Sequence, residues 1–141
     1  MASPQVRFQN PHTLPPPVGY SHLVEVHRGR LVLISGQAAR EASGALAGKG
    51  DFRAQLEQVF ANLKLAVEAA GGSFADIVKL NYYCVDAVPP EALPAVIEVR
   101  DRYVDTSAPP ASTFVVVKRL VRPDWLVEVE ATAVIAAEDA Q

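Results

Sequence analysis

Two glutamates, Glu128 and Glu130, are the residues of this chain whose types and spacing best suit proton transfer. They lie two positions apart in an alternating apolar and polar run, which predicts a strand with both carboxyls on one face, roughly 7 Å apart. A neighbouring like charge and partial burial raise the pKa of a carboxyl, so one of the pair would suit a general acid or base. The alternative is a pair of solvated or salt-bridged strand glutamates, which the bare pattern favours.

Two further segments have the residue types to contact a small ligand. Ser35, Gly36 and Gln37 close a short apolar run, where glycine lets a ligand approach the backbone and serine offers a hydroxyl. Tyr20 follows Gly19 at the start of an alternating run, and its phenol could stack on a planar substrate or hydrogen-bond to it. An ordinary strand end and a packed aromatic ring are the alternative interpretations.

The nucleophile and metal signals elsewhere in the chain are weak. Cys84 is the single cysteine and lies in an apolar run without an adjacent base, so we expect an inert core thiol and no cysteine-based zinc site. The three histidines have no ligand spacing, and no Gly-x-Ser-x-Gly pentapeptide occurs. We therefore expect no metal and no cofactor, and a lone thiol suits a reducing compartment such as the cytoplasm.

The composition indicates one ordered domain that binds neither membrane nor nucleic acid. The 141 residues carry 13 Lys and Arg against 16 Asp and Glu, and half of them are hydrophobic. An acidic balance disfavours phosphate contacts, and no apolar run approaches the roughly 18–20 residues of a membrane span. We expect a soluble, untargeted domain over residues 19–136, with a proline-rich arm at 1–18 and a tail at 137–141.

Periodicity and capping residues predict the elements that must position these side chains. Proline density excludes a helix or a central strand from the extended arm, and Asp51 caps a long helix that ends at Gly71. The remaining predictions are strands over 20–27 and 31–36 paired as a hairpin, a strand over 77–85, a second helix over 91–104, and strands over 113–120 and 125–135.

This order of elements predicts an α+β sandwich, with two helices on one face of a mixed sheet. The apolar side of the last strand, which includes Val127 and Val129, suits contact with the helices. The opposite side mixes Leu126 and Thr132 with the two glutamates. Because a half-apolar sheet face differs from an ordinary solvent surface, we expect this face to form an oligomer interface.

The chain resembles the RidA/YjgF family of reactive intermediate deaminases, whose older labels are translation inhibitor and endoribonuclease L-PSP. The resemblance spans about residues 18–133, and several blocks carry it in the right order. These blocks are Gly19-Tyr20-Ser21, Leu33-Ile34-Ser35-Gly36-Gln37, Val67-Glu68-Ala69-Ala70-Gly71, Asp76-Ile77-Val78-Lys79, Pro109-Pro110-Ala111-Ser112-Thr113 and Val127-Glu128-Val129-Glu130-Ala131.

The family resemblance implies a chorismate-mutase-like fold assembled as a homotrimer, with small-molecule clefts between neighbouring subunits. Deaminating members hydrolyse an enamine or imine to a carbonyl product and ammonia without a metal or cofactor. By this likeness, Glu128 would hold and activate the water, whereas Tyr20, Ser35 and Gly36 would line the cleft.

The chain departs from the deaminating members at the position that anchors their substrate. Those members carry an arginine after the Pro-Ala of the block before the fourth strand, where this chain has Ser112. Loss of such a bidentate contact predicts carboxylate binding that is weaker by roughly tenfold to several hundredfold. On the same strand face Phe114 replaces a small residue, and Arg100 stands where asparagine is frequent. Arg100 is either a substitute cation for the cleft or a solvated helix residue.

Three functions are compatible with these residues, and we favour the first. It is a cofactor-free hydrolase of small imines or enamines, with Glu128 as acid and base and a substrate other than the standard 2-aminoacrylate. The second is a non-catalytic small-molecule-binding or regulatory trimer, which Ser112 favours. The third is an RNA-cleaving or translation-inhibiting protein, which the acidic balance and the lack of a basic or aromatic patch oppose.

Overall fold

The computed structural model describes residues 5–138, in which a mixed sheet carries both helices on one face. Short 3-10 turns at Phe74–Asp76 and Pro90–Ala92 precede a strand and the second helix. The predicted α+β class is confirmed, and residues 1–4 of the arm and 139–141 of the tail lie outside the described residues. The elements are β1 (Val6–Gln9), β2 (Leu23–Val26), β3 (Arg30–Gln37), α1 (Phe52–Ala69), β4 (Ile77–Val85), α2 (Pro94–Arg100), β5 (Ala111–Val117) and β6 (Val127–Ile135).

The sheet that carries the candidate residues has the strand order β3-β6-β4-β5. β6 is antiparallel to both of its neighbours, whereas β4 and β5 are parallel. The register places Tyr83 opposite Glu128 and Asn81 opposite Glu130. Paired residues of adjacent strands point to the same face, so these four side chains share the face away from the helices. The predicted inward side of β6 is confirmed, because Val127, Val129, Ala131 and Ala133 are buried.

The first helix begins and ends where the sequence predicts. The Asp51 side chain accepts a hydrogen bond from the Ala54 N–H at 3.0 Å, which satisfies a backbone donor of the first turn. Gly71 follows the C-cap with a φ of 91°, a conformation that costs glycine little. The buried face of the helix consists of Phe52, Gln55, Leu56, Val59, Phe60, Leu63 and Val67.

The N-terminal strands pair differently from the prediction. β2 pairs antiparallel with β1, and β3 pairs with β6, so the predicted hairpin between the strands at 20–27 and 31–36 is wrong. The arm contains a four-residue strand that the sequence analysis did not predict. Its prolines lie at positions 4, 11 and 15–17, outside β1, so each residue of β1 retains an N–H for pairing.

The segment around Tyr20 is a loop, because β2 begins only at Leu23. The Ser21 N–H donates to the Pro110 carbonyl at 3.2 Å, and its Oγ donates to the Pro109 carbonyl at 2.6 Å. These bonds hold the segment against the loop that precedes β5. The Ser21 N–H is therefore not available for the strand pairing that a longer β2 would need. The predicted strand start at Tyr20 is therefore wrong by three residues.

The second helix is shorter than the predicted span of 91–104. A 3-10 turn occupies Pro90–Ala92, and the α-helix extends only over Pro94–Arg100. Pro94 has no N–H to donate to the preceding turn and is tolerated only at the start of a helix, so it separates the two segments. The residues after Arg100 form turns rather than a further helical turn.

The sheet face opposite the helices is half apolar, as predicted. Leu31 and Leu33 of β3 are 64% and 75% exposed, and Val115 of β5 is 39% exposed. The register places Leu33 opposite Thr132, on the same side as the two glutamates. Within residues 5–138, no helix has the length and apolar character needed to cross a membrane.

Candidate functional site

Glu128 is half-buried on the open face of the sheet, and its carboxylate packs against the backbone of Gly36. A Cβ atom at position 36 would lie 2.9 Å from the carboxyl carbon of Glu128, so only glycine leaves room for it. The pairing of β3 with β6 is irregular between Ile34 and Gln37, and this bulge brings Gly36 to the carboxylate. Ser35 is the exposed residue before it. The structure thus brings the predicted site residues Gly36 and Glu128 into contact.

The second glutamate is held by two side chains of β4. Glu130 Oε1 accepts a hydrogen bond from the Tyr83 hydroxyl at 2.6 Å and another from Asn81 Nδ2 at 3.1 Å. The bond to the carboxylate is the main reason that the pKa of Tyr83 is raised. Asn81 and Tyr83 were not predicted from the sequence to be functional residues. Their alternation with buried residues along β4 was the signal that could have identified them.

The pKa of Glu128 is raised above the usual value of a glutamate carboxyl. Partial burial is the largest cause, because it disfavours the charged form, and repulsion by the charge of Glu130 is the second. A carboxyl with a raised pKa gains and loses a proton more readily near neutral pH. The pair therefore combines one group suited to proton transfer with one carboxylate that is fixed in position.

A second set of predicted residues lies on the helix side of the sheet. Phe114 stacks on Tyr82, with ring centroids 5.5 Å apart and an interplanar angle of 28°. Ser112 precedes Phe114 by two residues and is paired with the buried Leu80. The Tyr82 hydroxyl is buried, with no hydrogen-bond partner in the described part of the chain. Burial is the main reason that the pKa of this hydroxyl is strongly raised.

Arg100 joins this second set from the end of α2. Its side chain is only 13% exposed, and its Nε and Nη2 atoms lie 2.9 and 2.7 Å from Asp101 Oδ1. The guanidinium also covers Gly19, where an added Cβ would lie 2.9 Å from Cζ. The interpretation of Arg100 as a solvated helix residue is therefore wrong. Tyr20, the next residue, makes an edge contact with His22 at 5.2 Å between ring centroids.

The structure does not bring the two sets of residues together within one chain. Ser112 is paired with Leu80 and Glu128 with Tyr83, and these two residues of β4 are an odd number of positions apart. Side chains of a strand alternate between its two faces, so Ser112 and Glu128 lie on opposite faces of the sheet. A single cleft that contains both would need more than one chain.

The described residues hold no metal-binding cluster, and the single cysteine of the chain lies in the core. Across residues 5–138, no three His, Cys, Asp or Glu side chains are grouped to hold a metal ion. Cys84 is buried, and burial raises the pKa of its thiol to about 11, so the thiol is protonated near neutral pH. The predicted core position of Cys84 is thus confirmed.

Comparison with known proteins assigns the family. The family model described as endoribonuclease L-PSP matches residues 11–135. The chain belongs to the RidA/YjgF family. The crystal structure of YyfB from Yersinia pestis, a protein of the conserved Rid family, is similar with a TM-score of 0.84 and 40% identity. That match covers 93% of this chain and 99% of YyfB.

Two curated relatives extend the comparison within the RidA/YjgF family. Protein DfrA of Myxococcus xanthus is 36% identical over 82% of this chain and 84% of its own length. The 2-iminobutanoate/2-iminopropanoate deaminase of Dermatophagoides farinae is 31% identical over 86% of this chain and 90% of its own length. The family predicted from the sequence blocks is therefore confirmed, and the family includes imine deaminases.

Proposed function

We propose that this chain is a cofactor-free hydrolase of small imines or enamines. The observation that carries the proposal is the half-buried Glu128 carboxyl, which has a raised pKa, packs on Gly36 and lies beside the fixed Glu130. The name of the relative from Dermatophagoides farinae, an iminobutanoate and iminopropanoate deaminase, supports this reaction class.

The proposed reaction converts an imine and one water molecule into a carbonyl compound and ammonia. The Glu128 carboxylate takes a proton from the water while the water oxygen forms a bond to the imine carbon. The electron pair of the C=N bond moves to nitrogen, which receives that proton from Glu128. Glu128 then transfers the hydroxyl proton to nitrogen, the C–N bond breaks, and ammonia leaves. An enamine would first be protonated at carbon to give the imine.

The substrate that we propose is not the standard 2-aminoacrylate. Ser112 offers a neutral hydroxyl where an arginine would grip the substrate carboxylate. Arg100 is close to Gly19 on the same side of the sheet, but its charge is already paired with Asp101. The neighbouring Phe114 adds apolar surface. A neutral imine, or one anchored through another group, fits these residues better than a small 2-imino acid.

We further propose that the cleft lies between the subunits of a homotrimer. Two arguments support this assembly. The site residues on the opposite faces of the sheet can share a cleft only across a subunit boundary. In addition, Leu31 and Leu33 on one edge strand and Val115 on the other leave apolar area exposed on the face of the glutamates, which a second copy would cover. The buried, protonated Cys84 is consistent with the cytoplasm, which is the compartment we propose.

Ser112 favours a second candidate, a non-catalytic small-molecule-binding or regulatory trimer. Such a protein would keep the cleft but would lack the cation that anchors the substrate of the deaminating members. The description of the family model also names an endoribonuclease. A net charge of -3 disfavours RNA as the substrate, because nucleic-acid affinity depends on cationic contacts to phosphate.

The test measures ammonia release from a panel of freshly generated imines, with and without a carboxylate. We expect Glu128→Gln to lower kcat by roughly 100-fold or more, because the amide cannot accept the proton of water. Glu91→Gln, an exposed glutamate of a 3-10 turn, is the matched control and should retain full activity. Turnover that survives Glu128→Gln would contradict the mechanism, and ligand binding without turnover would establish the binding protein. A monomer in light scattering would contradict the inter-subunit cleft.

A further inference from the structure

We propose that a cavity beside Gly36 binds an uncharged, ring-sized substituent of the substrate, and thereby selects aromatic imines. This inference rests on the proposed imine hydrolysis at Glu128. The cavity has a volume of about 540 Å³ and is lined by Gly36, the loop that follows it, α1 and Trp125. A volume of this order is within the range of small-molecule sites and exceeds the needs of a methyl or ethyl group.

Gly36 connects the cavity to the candidate catalytic group. This residue lines the cavity, and the Glu128 carboxylate packs against its backbone. An imine carbon held at Glu128 on the open face would therefore meet Gly36 at the edge of the sheet, where the cavity begins. A substituent on that carbon can extend over the glycine backbone, which presents no side chain to obstruct it.

Two of the polar side chains that line the cavity are already hydrogen-bonded within the protein. Asn62 Nδ2 donates to the carbonyls of Ala38 and Arg40, at 3.2 and 2.8 Å, and its Oδ1 accepts from Gln58 at 2.9 Å. The Gln37 amide donates to the Ser35 carbonyl at 3.0 Å. These side chains shape the cavity rather than offer several directed bonds to a polar ligand.

The apolar part of the lining lies on α1 and at Trp125. Leu65 of α1 lines the cavity and is 64% exposed, and the half-buried Trp125 provides an aromatic ring. Apolar and aromatic side chains of this kind bind planar rings by burying apolar area and by offset or edge contacts. The lining therefore fits a phenyl or similar group.

The charges around the cavity give no preference for an ionic substituent. Arg40 and Glu41 are neighbours in the lining loop, and their formal charges cancel. Both residues are exposed, so each charge is also screened by solvent. An anionic substituent would gain from Arg40 what it loses to Glu41. An uncharged ring has no such loss, which is why we infer an aromatic rather than an acidic substituent.

The kinetic test compares imines generated from phenylethylamine and from ethylamine, which differ only in the ring. We expect kcat/KM of the wild type to favour the phenyl compound. Leu65→Ala and Trp125→Ala should each lower kcat/KM for the phenyl compound by roughly three- to tenfold and leave the ethyl compound unchanged. The control is Ile97→Ala, an exposed apolar residue of α2 outside the cavity, which should change neither value. An equal loss on both substrates would overturn the proposed selectivity.

Trp125 is the single tryptophan of the chain, so its fluorescence reports on the cavity without any turnover. The stable ketone 4-phenyl-2-butanone should change this fluorescence saturably in the wild type and at least threefold more weakly in Leu65→Ala, whereas 2-butanone should not. Turnover of small imines without a fluorescence response would overturn the cavity and leave the proposed function intact. A saturable response without turnover of any imine would overturn the hydrolase and also the role of the cavity in imine selection.

Discussion

The Glu128 carboxylate occupies the space that a side chain at position 36 would fill. Glu128 lies in β6 and Gly36 at the end of β3, and the bulge between Ile34 and Gln37 sets their approach. The absence of a Cβ atom at position 36 is therefore a condition for the observed position of the proposed acid and base. A side chain at position 36 should therefore displace the carboxylate and lower the catalytic rate.

Gly36→Ala should reduce catalysis more than stability. The new Cβ would displace the Glu128 carboxyl, and a misplacement of about 1 Å at a reacting group lowers rates by roughly 100-fold. We expect a loss of kcat of at least tenfold on the preferred imine, with near-wild-type thermal unfolding. Steady-state ammonia release and a thermal melt measure the two quantities.

Gly50→Ala is the reciprocal control for Gly36→Ala. An added Cβ at Gly50 meets nothing within 4 Å, but the backbone φ of 72° is unfavourable for alanine. This variant should lose roughly 1–2 kcal/mol of stability and keep its kcat. An unchanged kcat in Gly36→Ala would show that the Glu128 carboxyl tolerates the displacement, and would contradict its role as the reacting group.

Glu130→Gln should shift the acid limb of the pH–rate profile to lower pH. Glu128 must be a carboxylate to take a proton from water, so the rate rises as pH passes through its pKa. Desolvation and the charge of Glu130 both raise that pKa. Removing the charge removes only the second cause, and the pKa of Glu128 should fall while its desolvation remains. The measurement is log kcat/KM against pH for wild type and variant.

Tyr83→Phe separates the charge of Glu130 from its position. This variant removes the hydrogen bond at 2.6 Å but retains the charge of Glu130. It should therefore move the acid limb of the pH–rate profile less than Glu130→Gln does. Glu91→Gln, remote from the sheet face, should leave the profile unchanged. A profile of Glu130→Gln that coincides with the wild type would show that Glu130 does not influence the titrating group.

Tyr82→Phe should maintain or increase stability despite its position in the core. The Tyr82 side chain is 3% exposed, and its hydroxyl has no hydrogen-bond partner among residues 5–138. Removing a buried donor without a partner avoids its desolvation cost, and we expect a gain of up to about 1 kcal/mol in the free energy of unfolding. The stacked contact with Phe114 would be retained.

The gain from Tyr82→Phe should grow at alkaline pH. Burial raises the pKa of the Tyr82 hydroxyl, so the folded chain keeps the neutral form. Above the pKa of about 10 that tyrosine has in the unfolded chain, the wild type progressively loses stability because only its unfolded state ionises. The phenylalanine variant has no such loss. Denaturant unfolding at about pH 7 and about pH 10.5 tests this. A clear loss of stability in the variant would reveal a hydrogen bond to this hydroxyl in the assembled protein.

Elements with strong local signals were predictable from the sequence. The helix after Asp51 was predicted at both ends, because a capping carboxylate, apolar spacing and Gly71 all act within a few residues. The two faces of β6 followed from alternation alone. The second helix was predicted in its place but too long, because Pro94 separates a 3-10 turn from the α-helix.

Features that depend on partners distant in the chain were not predictable. The predicted hairpin is wrong because β2 pairs with β1 of the arm, whereas β3 pairs with β6 at the far end of the chain. Tyr20 left the strand because Ser21 bonds to carbonyls nearly 90 residues away, at Pro109 and Pro110. The cavity at Trp125 joins segments from three parts of the chain, and only the one that contains Gly36 carries a motif.

The sequence by itself determined the family blocks, the main elements and the common face of Glu128 and Glu130, because these depend on local periodicity and residue type. Only the tertiary structure decided that Glu128 rests on Gly36, that Tyr83 holds Glu130, and that Ser112 lies on the opposite face of the sheet. Strand order and register decide those relationships. Both arise from the packing of the whole core, which spacing along one segment does not encode.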